Sequence, residues 1–256
     1  MKSAITVLLT CAIGAAAAAA ELLPIGPGEF SSVVPSGDAA PSVHVGRFML
    51  ERRPVTNAEF LAYVLHHREW RRDRVASLFA DGDYLSHWSA ADTLGPSARP
   101  EQPVTRVSWF AARAYCEAQG ERLPNWTEWE YAAAADGRTA DARRDPQWQS
   151  RILDWYGQPA THALPRVGMG PVNFYGIQDL HGLIWEWVED FNALLVSADS
   201  RDQADPVKLQ FCGAGALSLK DPGNYAMLMR IAFLTSLEAR STARSLGFRC
   251  AGGKSP

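Results

Sequence analysis

Residues 122–132 read Arg-Leu-Pro-Asn-Trp-Thr-Glu-Trp-Glu-Tyr-Ala and combine a helix start with several large aromatic rings. Asn125, followed three residues later by Glu128, has the pattern of a helix N-terminus, where polar side chains bond the free backbone N–H groups of the first turn. Trp129 and Tyr131 then lead into an alanine run that ends near Gly137. The stretch predicts a helix whose large rings help to hold together a chain with little regular structure.

Further elements are predicted on both sides of this helix. Residues 56–59, Thr-Asn-Ala-Glu, form a capping box that begins one helix. Another helix is expected to begin after Ser108, a good N-cap, and to stop at Gly120. Strands are predicted at 22–25 and 43–50. We expect 73–102 to be an irregular surface segment, 136–170 to be loop, and the chain after 190 to be strand and loop.

The first 20 residues have the composition of a secretory signal. Lys2 precedes an uncharged apolar run, and small residues end that run before Glu21. We therefore expect cleavage after residue 20 and a periplasmic or secreted mature chain, 21–256, that forms one domain. The run is short and rich in alanine for a membrane anchor, and too little apolar sequence precedes Cys11 for a lipoprotein signal.

The charge balance argues against two classes of partner. Without Lys2, 24 basic residues stand against 28 acidic ones, so the net charge of the mature chain is about −4. The sequence has neither a basic stripe for nucleic acid nor a polybasic patch for a membrane surface, so we expect neither partner after signal cleavage. The densest cationic cluster, at 68–74, also contains Glu69 and Asp73 and is expected to be a solvated helix face.

Eight short pieces of the chain occur in an order typical of one protein family. They are 55–60, 103–104 with 107–109, 114–116, 122–124, 128–132, 175–176, 185–187 and 247–251. Together they closely resemble the formylglycine-generating (sulfatase-modifying factor) domain family over 22–252. The resemblance implies an α+β fold of the C-type-lectin-like kind, with a low content of regular secondary structure.

Catalytic members of that family oxidise a sulfatase cysteine to formylglycine with copper(I) held by two thiolates, which are soft ligands suited to this ion. At the matching positions here, Gly215 replaces a serine, Leu183 replaces an asparagine, and Ser218 stands where the first thiol is expected. No cysteine occurs between 213 and 249. We therefore expect no copper site and no formylglycine-generating activity, and we interpret Cys212 as a buried free thiol.

The resemblance also implies a disulfide. Loss of Cys11 with the signal leaves three cysteines, and an oxidising compartment favours one pair among them. Cys116 and Cys250 match positions that form a structural disulfide in members of the family. The expected result is a Cys116–Cys250 bond, with Cys212 left free.

A calcium site of the family is matched in part. The matching positions are the side chains of Asp179 and Glu186 and the backbone carbonyls of Leu180, Gly182 and Ile184, and such hard oxygen ligands suit Ca²⁺. The alternative is that Asp179 caps a turn and Glu186 makes a buried hydrogen bond. A histidine metal site assembled only by folding is a weaker possibility, because the six histidines are scattered.

Two functions fit these features. The first is an exported accessory protein that makes no formylglycine and binds another exported protein or peptide, a metalloenzyme among the candidates, to help it mature. The second is a periplasmic oxidoreductase of the same family with a different metal centre, similar to the relative implicated in maturing the pyoverdine chromophore. The missing copper ligands favour the first.

Overall fold

The computed structural model describes residues 21–33, 42–157, 163–194 and 225–253. Within these ranges the chain forms seven short strands and five α-helices. In chain order they are β1 (Leu22–Ile25), β2 (Gly28–Phe30), β3 (Val43–Val45), β4 (Phe48–Glu51), α1 (Asn57–His66), α2 (Trp109–Ala118), α3 (Trp126–Ala133), α4 (Pro146–Tyr156), β5 (Trp185–Glu186), α5 (Tyr225–Thr235), β6 (Leu246–Gly247) and β7 (Ala251–Gly252).

The strands form three small sheets in the described part of the chain. β4 lies between β1 and β7 and is antiparallel to both, with Leu50 opposite Leu23 on one side and Ala251 on the other. β2 pairs with β3 in an antiparallel ladder, and β5 pairs with β6 in a parallel one. The first sheet therefore places the start and the end of the described chain on the two sides of β4. This α+β architecture, with little regular structure, agrees with the prediction.

The single strand predicted over 43–50 is wrong, because the chain turns at Gly46 and Arg47. β3 before the turn pairs with β2, whereas β4 after it pairs with β1 in a different sheet. β2 was not predicted. Apolar residues stand at 43 and 45 and then at 48 and 50, so the alternation shifts by one residue at Gly46-Arg47. That shift marks a break in the strand, but it does not show that the two halves join different sheets.

Three predicted helix starts are confirmed. Thr56 and Glu59 form the capping box of α1, and Asn125 and Glu128 form a second capping box at α3. The hydroxyl of Ser108 accepts a hydrogen bond from the Ala111 backbone N–H at the start of α2. In each case a side chain satisfies an N–H that the first helical turn leaves without a partner.

Two helices lie where loop or strand was predicted. Helix α4 interrupts the expected loop at 136–170, and Asp145 caps it by accepting from the Gln147 backbone N–H. Helix α5 lies in the part of the chain predicted to be strand and loop, and it buries Met227, Ile231 and Leu234. The Asp145-Pro146 pair was a usable signal for α4, because proline is favoured at the first helical position.

The segment 73–102 is irregular, as predicted, but it is not a surface excursion. Tyr84, Leu85 and Trp88 are buried in the core. The Arg72 guanidinium donates to the carbonyls of Leu85 and Trp88 at 3.0 and 2.9 Å. One member of the cationic cluster at 68–74 therefore braces this segment, so the cluster is not simply a solvated face.

The core lies between α1, α2 and the three-stranded sheet and is rich in aromatic rings. Phe60 of α1 stacks on Tyr115 of α2 at 5.7 Å and meets the edge of Phe248 at 6.0 Å. Aromatic pairs in these geometries stabilise a core beyond the area they bury. No helix in the described ranges combines the length and apolarity needed to cross a membrane.

Candidate functional site

The Cys116–Cys250 disulfide is present. Cys116 lies in α2 and Cys250 directly precedes β7, with an S–S distance of 2.00 Å and a Cα–Cα distance of 5.6 Å. Both residues are fully buried. The third cysteine, Cys212, lies outside the described residues. The pairing implied by the resemblance is therefore the one that the fold makes.

Two carboxyl groups lie beside this disulfide. The Glu51 carboxylate accepts from the Cys250 backbone N–H at 2.7 Å, and burial raises the pKa of Glu51 to about 8. With Glu121 and the Cys250 sulfur, it forms the one close group of three potential metal-binding side chains found in the described ranges. Because that sulfur is in the disulfide, it is not available as a thiolate.

Glu186, at the centre of the Trp-Glu-Trp segment, is completely buried in an ion pair. The Arg249 guanidinium donates to its two carboxylate oxygens at 2.9 and 2.8 Å. The Trp129 indole N–H donates to one of them at 2.8 Å. The same guanidinium also donates to backbone carbonyls of three other residues: Glu51, Arg52 and Gln178. The charges are thus paired and hydrogen-bonded, as buried charges require.

A second buried guanidinium ties α5 to this centre. Arg230 lies 3.5 Å from the ring centroid of Trp129 and donates to the backbone carbonyl of Glu186. Burial lowers the pKa of Arg230 to about 10, so the group remains charged at neutral pH. Its contact with the indole face is a cation–π interaction, which strengthens where water is excluded.

The residues predicted to hold calcium lie in two different environments in the structure. Asp179 has a left-handed backbone, with φ of 61°, and its two carboxylate oxygens accept from the backbone N–H groups of Gly168 and Gly170. Ile184 and Glu186 lie in the core. All four carboxylate oxygens accept hydrogen bonds from protein donors, and Glu186 is also paired with Arg249. A calcium ion here stays a prediction, tested by metal analysis.

Of the three positions that differ from catalytic members, the structure describes one. Leu183 is buried, at 6% exposure. Gly215 and Ser218 lie outside the described residues. The replacement of the copper ligands therefore rests on the sequence alone.

A cleft of about 730 Å³ lies between α4 and the turn at 179–182. Trp148, Trp155 and Arg151 of α4 line it, together with His181, Asp179, Leu180 and Gly182. His181 shares a hydrogen bond of 2.9 Å with the Ala133 carbonyl, and burial lowers the pKa of its ring to about 4. The ring is therefore neutral at pH 7 and helps to support the wall of the cleft.

The second cleft has a volume of about 620 Å³ and a cationic lining; we call it the arginine cleft. It lies where the start of α1, the segment 96–106 and the residues before β6 meet. Its described lining contains no carboxylate. The lining residues are Asn57, His87, Pro96, Ser97, Arg99, Gln102, Pro103, Thr105, Arg106, Ala163, Leu164, Arg244 and Ser245.

The backbone holds the wall of the arginine cleft in an unusual conformation. Leu85 and Arg106 both have positive φ, 47° and 53°, and the Leu85 N–H donates to the Arg106 carbonyl at 2.9 Å. The Arg106 N–H donates in turn to the Ala243 carbonyl at 3.3 Å, beside Arg244. Each such residue costs about 1–3 kcal/mol, and such residues concentrate at binding and catalytic sites. The arginine cleft therefore shares this feature with binding and catalytic sites.

Sequence reasoning missed this cleft. His87 was treated as isolated, and Arg99 and Arg244 were not singled out. They are separated by up to 157 positions, so no local motif contains them. The left-handed Arg106 leaves no signal in the sequence either, since glycine would be the expected residue at positive φ.

The comparison with known families gives a match over nearly the whole chain. The model of the sulfatase-modifying factor enzyme 1-like (FGE-sulfatase) domain matches residues 13–253. The chain belongs to this family. It is the family that the eight ordered pieces resemble.

One relative within the family is named as inactive, and another is named as a formylglycine-generating enzyme. The inactive C-alpha-formylglycine-generating enzyme 2 of Bos taurus is 32% identical over 60% of this chain and 51% of its own length. The formylglycine-generating enzyme of Streptomyces coelicolor is 29% identical over 88% of this chain and 86% of its own length. The chain thus aligns with about half of the bovine relative. Both an active and an inactive protein are similar to it, so membership alone does not decide activity.

A solved structure of CarF has a TM-score of 0.51 and 17% sequence identity. The alignment covers 92% of this chain and 99% of the CarF chain. At this identity the similarity supports the fold alone.

Proposed function

We propose that this chain is an exported scaffold of the FGE-sulfatase family that makes no formylglycine and binds another exported protein to help it mature. On this proposal the domain keeps the family's fold and uses a cleft for recognition. The partner is an exported protein or peptide, with metalloenzymes among the candidates.

The observation that supports the proposal best is the Cys116–Cys250 disulfide. The chain after residue 20 contains three cysteines, and this bond uses two of them. At most one thiolate, that of Cys212, is then available, whereas copper-dependent formylglycine formation uses two. The similarity to an inactive bovine relative is consistent with this, and the arginine cleft offers a surface for binding.

Metal content and activity test the catalytic half of the proposal. Mature protein 21–256, purified from an oxidising compartment, is expected to contain no stoichiometric copper or iron by mass spectrometry. It is also expected to leave a sulfatase-derived cysteine peptide unconverted after loading with Cu(I). The Streptomyces coelicolor enzyme serves as the matched positive control. Stoichiometric copper or iron, or conversion of the peptide, would overturn the proposal in favour of an oxidoreductase.

A genetic experiment tests the accessory half. Deletion of the gene is expected to lower the activity of an exported enzyme while its abundance stays constant. Complementation with the Cys212→Ser variant is expected to restore that activity as fully as the unchanged chain, because binding needs no thiol. Failure of the folded variant to complement, beside success of the unchanged chain, would show that thiol chemistry is required.

A further inference from the structure

The arginine cleft contains positive charge that the described protein does not neutralise. Arg106 is 3.3 Å from Asp83, a mostly exposed carboxylate, and also donates to the Ser86 hydroxyl. Arg99 and Arg244 are exposed, and neither is in an ion pair with a described residue. Two guanidinium groups on one concave, carboxylate-free wall favour an anionic ligand.

A buried histidine adds a polar group without a partner. Both ring nitrogens of His87 are shielded from solvent, and neither has a hydrogen-bond partner among the described residues. Burial, together with Arg106 and Arg72, lowers the pKa of His87 to about 4, so the ring is neutral at pH 7 and offers one N–H donor. A buried polar group left without a partner is costly. Because His87 lines the cleft, a turn of its ring toward the cleft would let a ligand oxygen accept from its N–H.

Other polar donors complete the lining. Ser97, Thr105 and Ser245, which carry hydroxyl groups, also line the cleft. Guanidinium groups bind carboxylates through two parallel N–H donors, and hydroxyl groups supply further hydrogen bonds. A cleft of about 620 Å³ is within the usual range for ligand pockets and holds a few amino-acid residues.

We propose that the arginine cleft binds a carboxylate-bearing peptide segment, with Arg99 and Arg244 as the cationic anchors and His87 and the hydroxyl groups as neutral donors. This inference rests on the proposed function, because an exported protein partner presents acidic side chains. It adds that the segment recognised is acidic.

Titration calorimetry with defined probes tests the inference on the full mature chain. The probes are a capped hexapeptide of alternating Glu and Gly, the same peptide with Gln in place of Glu, citrate and inorganic phosphate. We expect the Glu peptide to bind and the Gln peptide not to bind. The Arg99→Gln/Arg244→Gln variant is expected to bind the Glu peptide about tenfold more weakly, because it removes two exposed ion pairs. The Arg47→Gln variant, altered at an exposed arginine outside the cleft, is the matched control.

Three outcomes would overturn the inference: no binding of the Glu peptide, equal binding of the Gln peptide, or equal weakening by Arg47→Gln. Binding of citrate or phosphate without the Glu peptide would identify a small-anion site and would also overturn it. Thermal unfolding of each variant verifies that the fold is intact. None of these outcomes changes copper content or complementation, so failure here is distinguishable from failure of the proposed function.

Discussion

At the scale of single residues, Arg249 contacts several separate parts of the core. Its guanidinium pairs with Glu186, and it also donates to carbonyls at the end of β4 and in the 178 turn. Both charged side chains have 0% exposure. Replacing one partner of such a pair leaves the other charge buried and unpaired, and that penalty exceeds the contribution of the pair itself.

The variant Arg249→Met is therefore expected to lose about 3–5 kcal/mol of unfolding free energy. Urea unfolding at pH 7 with the disulfide intact, followed by tryptophan fluorescence, measures the loss. Arg240→Met is the matched control, because Arg240 pairs with Glu238 on the surface at 52% and 70% exposure. Its loss is expected to be much smaller, because an exposed ion pair is screened by solvent and contributes little. Equal losses in the two variants would contradict a buried pair.

At the scale of the elements, capping side chains fix where the helices begin. Asn125 accepts from the Glu128 backbone N–H at 2.8 Å, and Glu128 accepts from the Asn125 N–H at 2.9 Å. Glu128 also pairs with Arg122 at 2.6 Å, which fixes the turn before α3. Helix α3 in turn positions Trp129 against Glu186 and Arg230, so its start sets the geometry of the buried centre.

Asn125→Ala is expected to destabilise the protein by about 0.5–2 kcal/mol, because the Glu128 N–H loses its acceptor. Asn125→Ser, which keeps an acceptor at the same position, is expected to lose less than half as much as the alanine variant. Urea unfolding midpoints of the three proteins at one pH give the comparison. A serine variant as unstable as the alanine variant would show that the cap is not the cause.

The disulfide acts on the scale of the whole molecule. It joins α2 to the strand at the end of the described chain across 134 residues of sequence. A crosslink that closes so long a loop stabilises the fold mainly by restricting the unfolded chain. It also holds the β4–β7 edge of the first sheet against the aromatic core.

The Cys116→Ser/Cys250→Ser variant is expected to lose roughly 4–5 kcal/mol, the chain-entropy value for a loop of this size. Urea unfolding measures the loss, and thiol titration of the unfolded, non-reduced mature protein checks the pairing. The unchanged chain should show one free thiol, and its Cys212→Ser variant none. Three free thiols in the unchanged chain would contradict the bond.

Much of the fold could be predicted because its signals are local or follow a family order. Thr56, Ser108 and Asn125 bond N–H groups within three residues, so the sequence alone shows them as helix starts. The eight ordered pieces indicated the family, and with it the pairing of Cys116 and Cys250. Helix α5 was missed because its apolar residues suit a buried strand as well as a buried helix.

The sequence by itself determined the family, three of the helix starts, the cysteine pairing that the family implies and the shortage of thiols for a copper site. Only the tertiary structure decided that Glu186 pairs with Arg249 in the core, and that His87, Arg99 and Arg244 share one cleft. The physical reason is distance along the chain. A cap is satisfied within one helical turn. The buried ion pair joins residues 63 positions apart, and the cleft wall joins residues up to 157 positions apart, so both form only when the core packs.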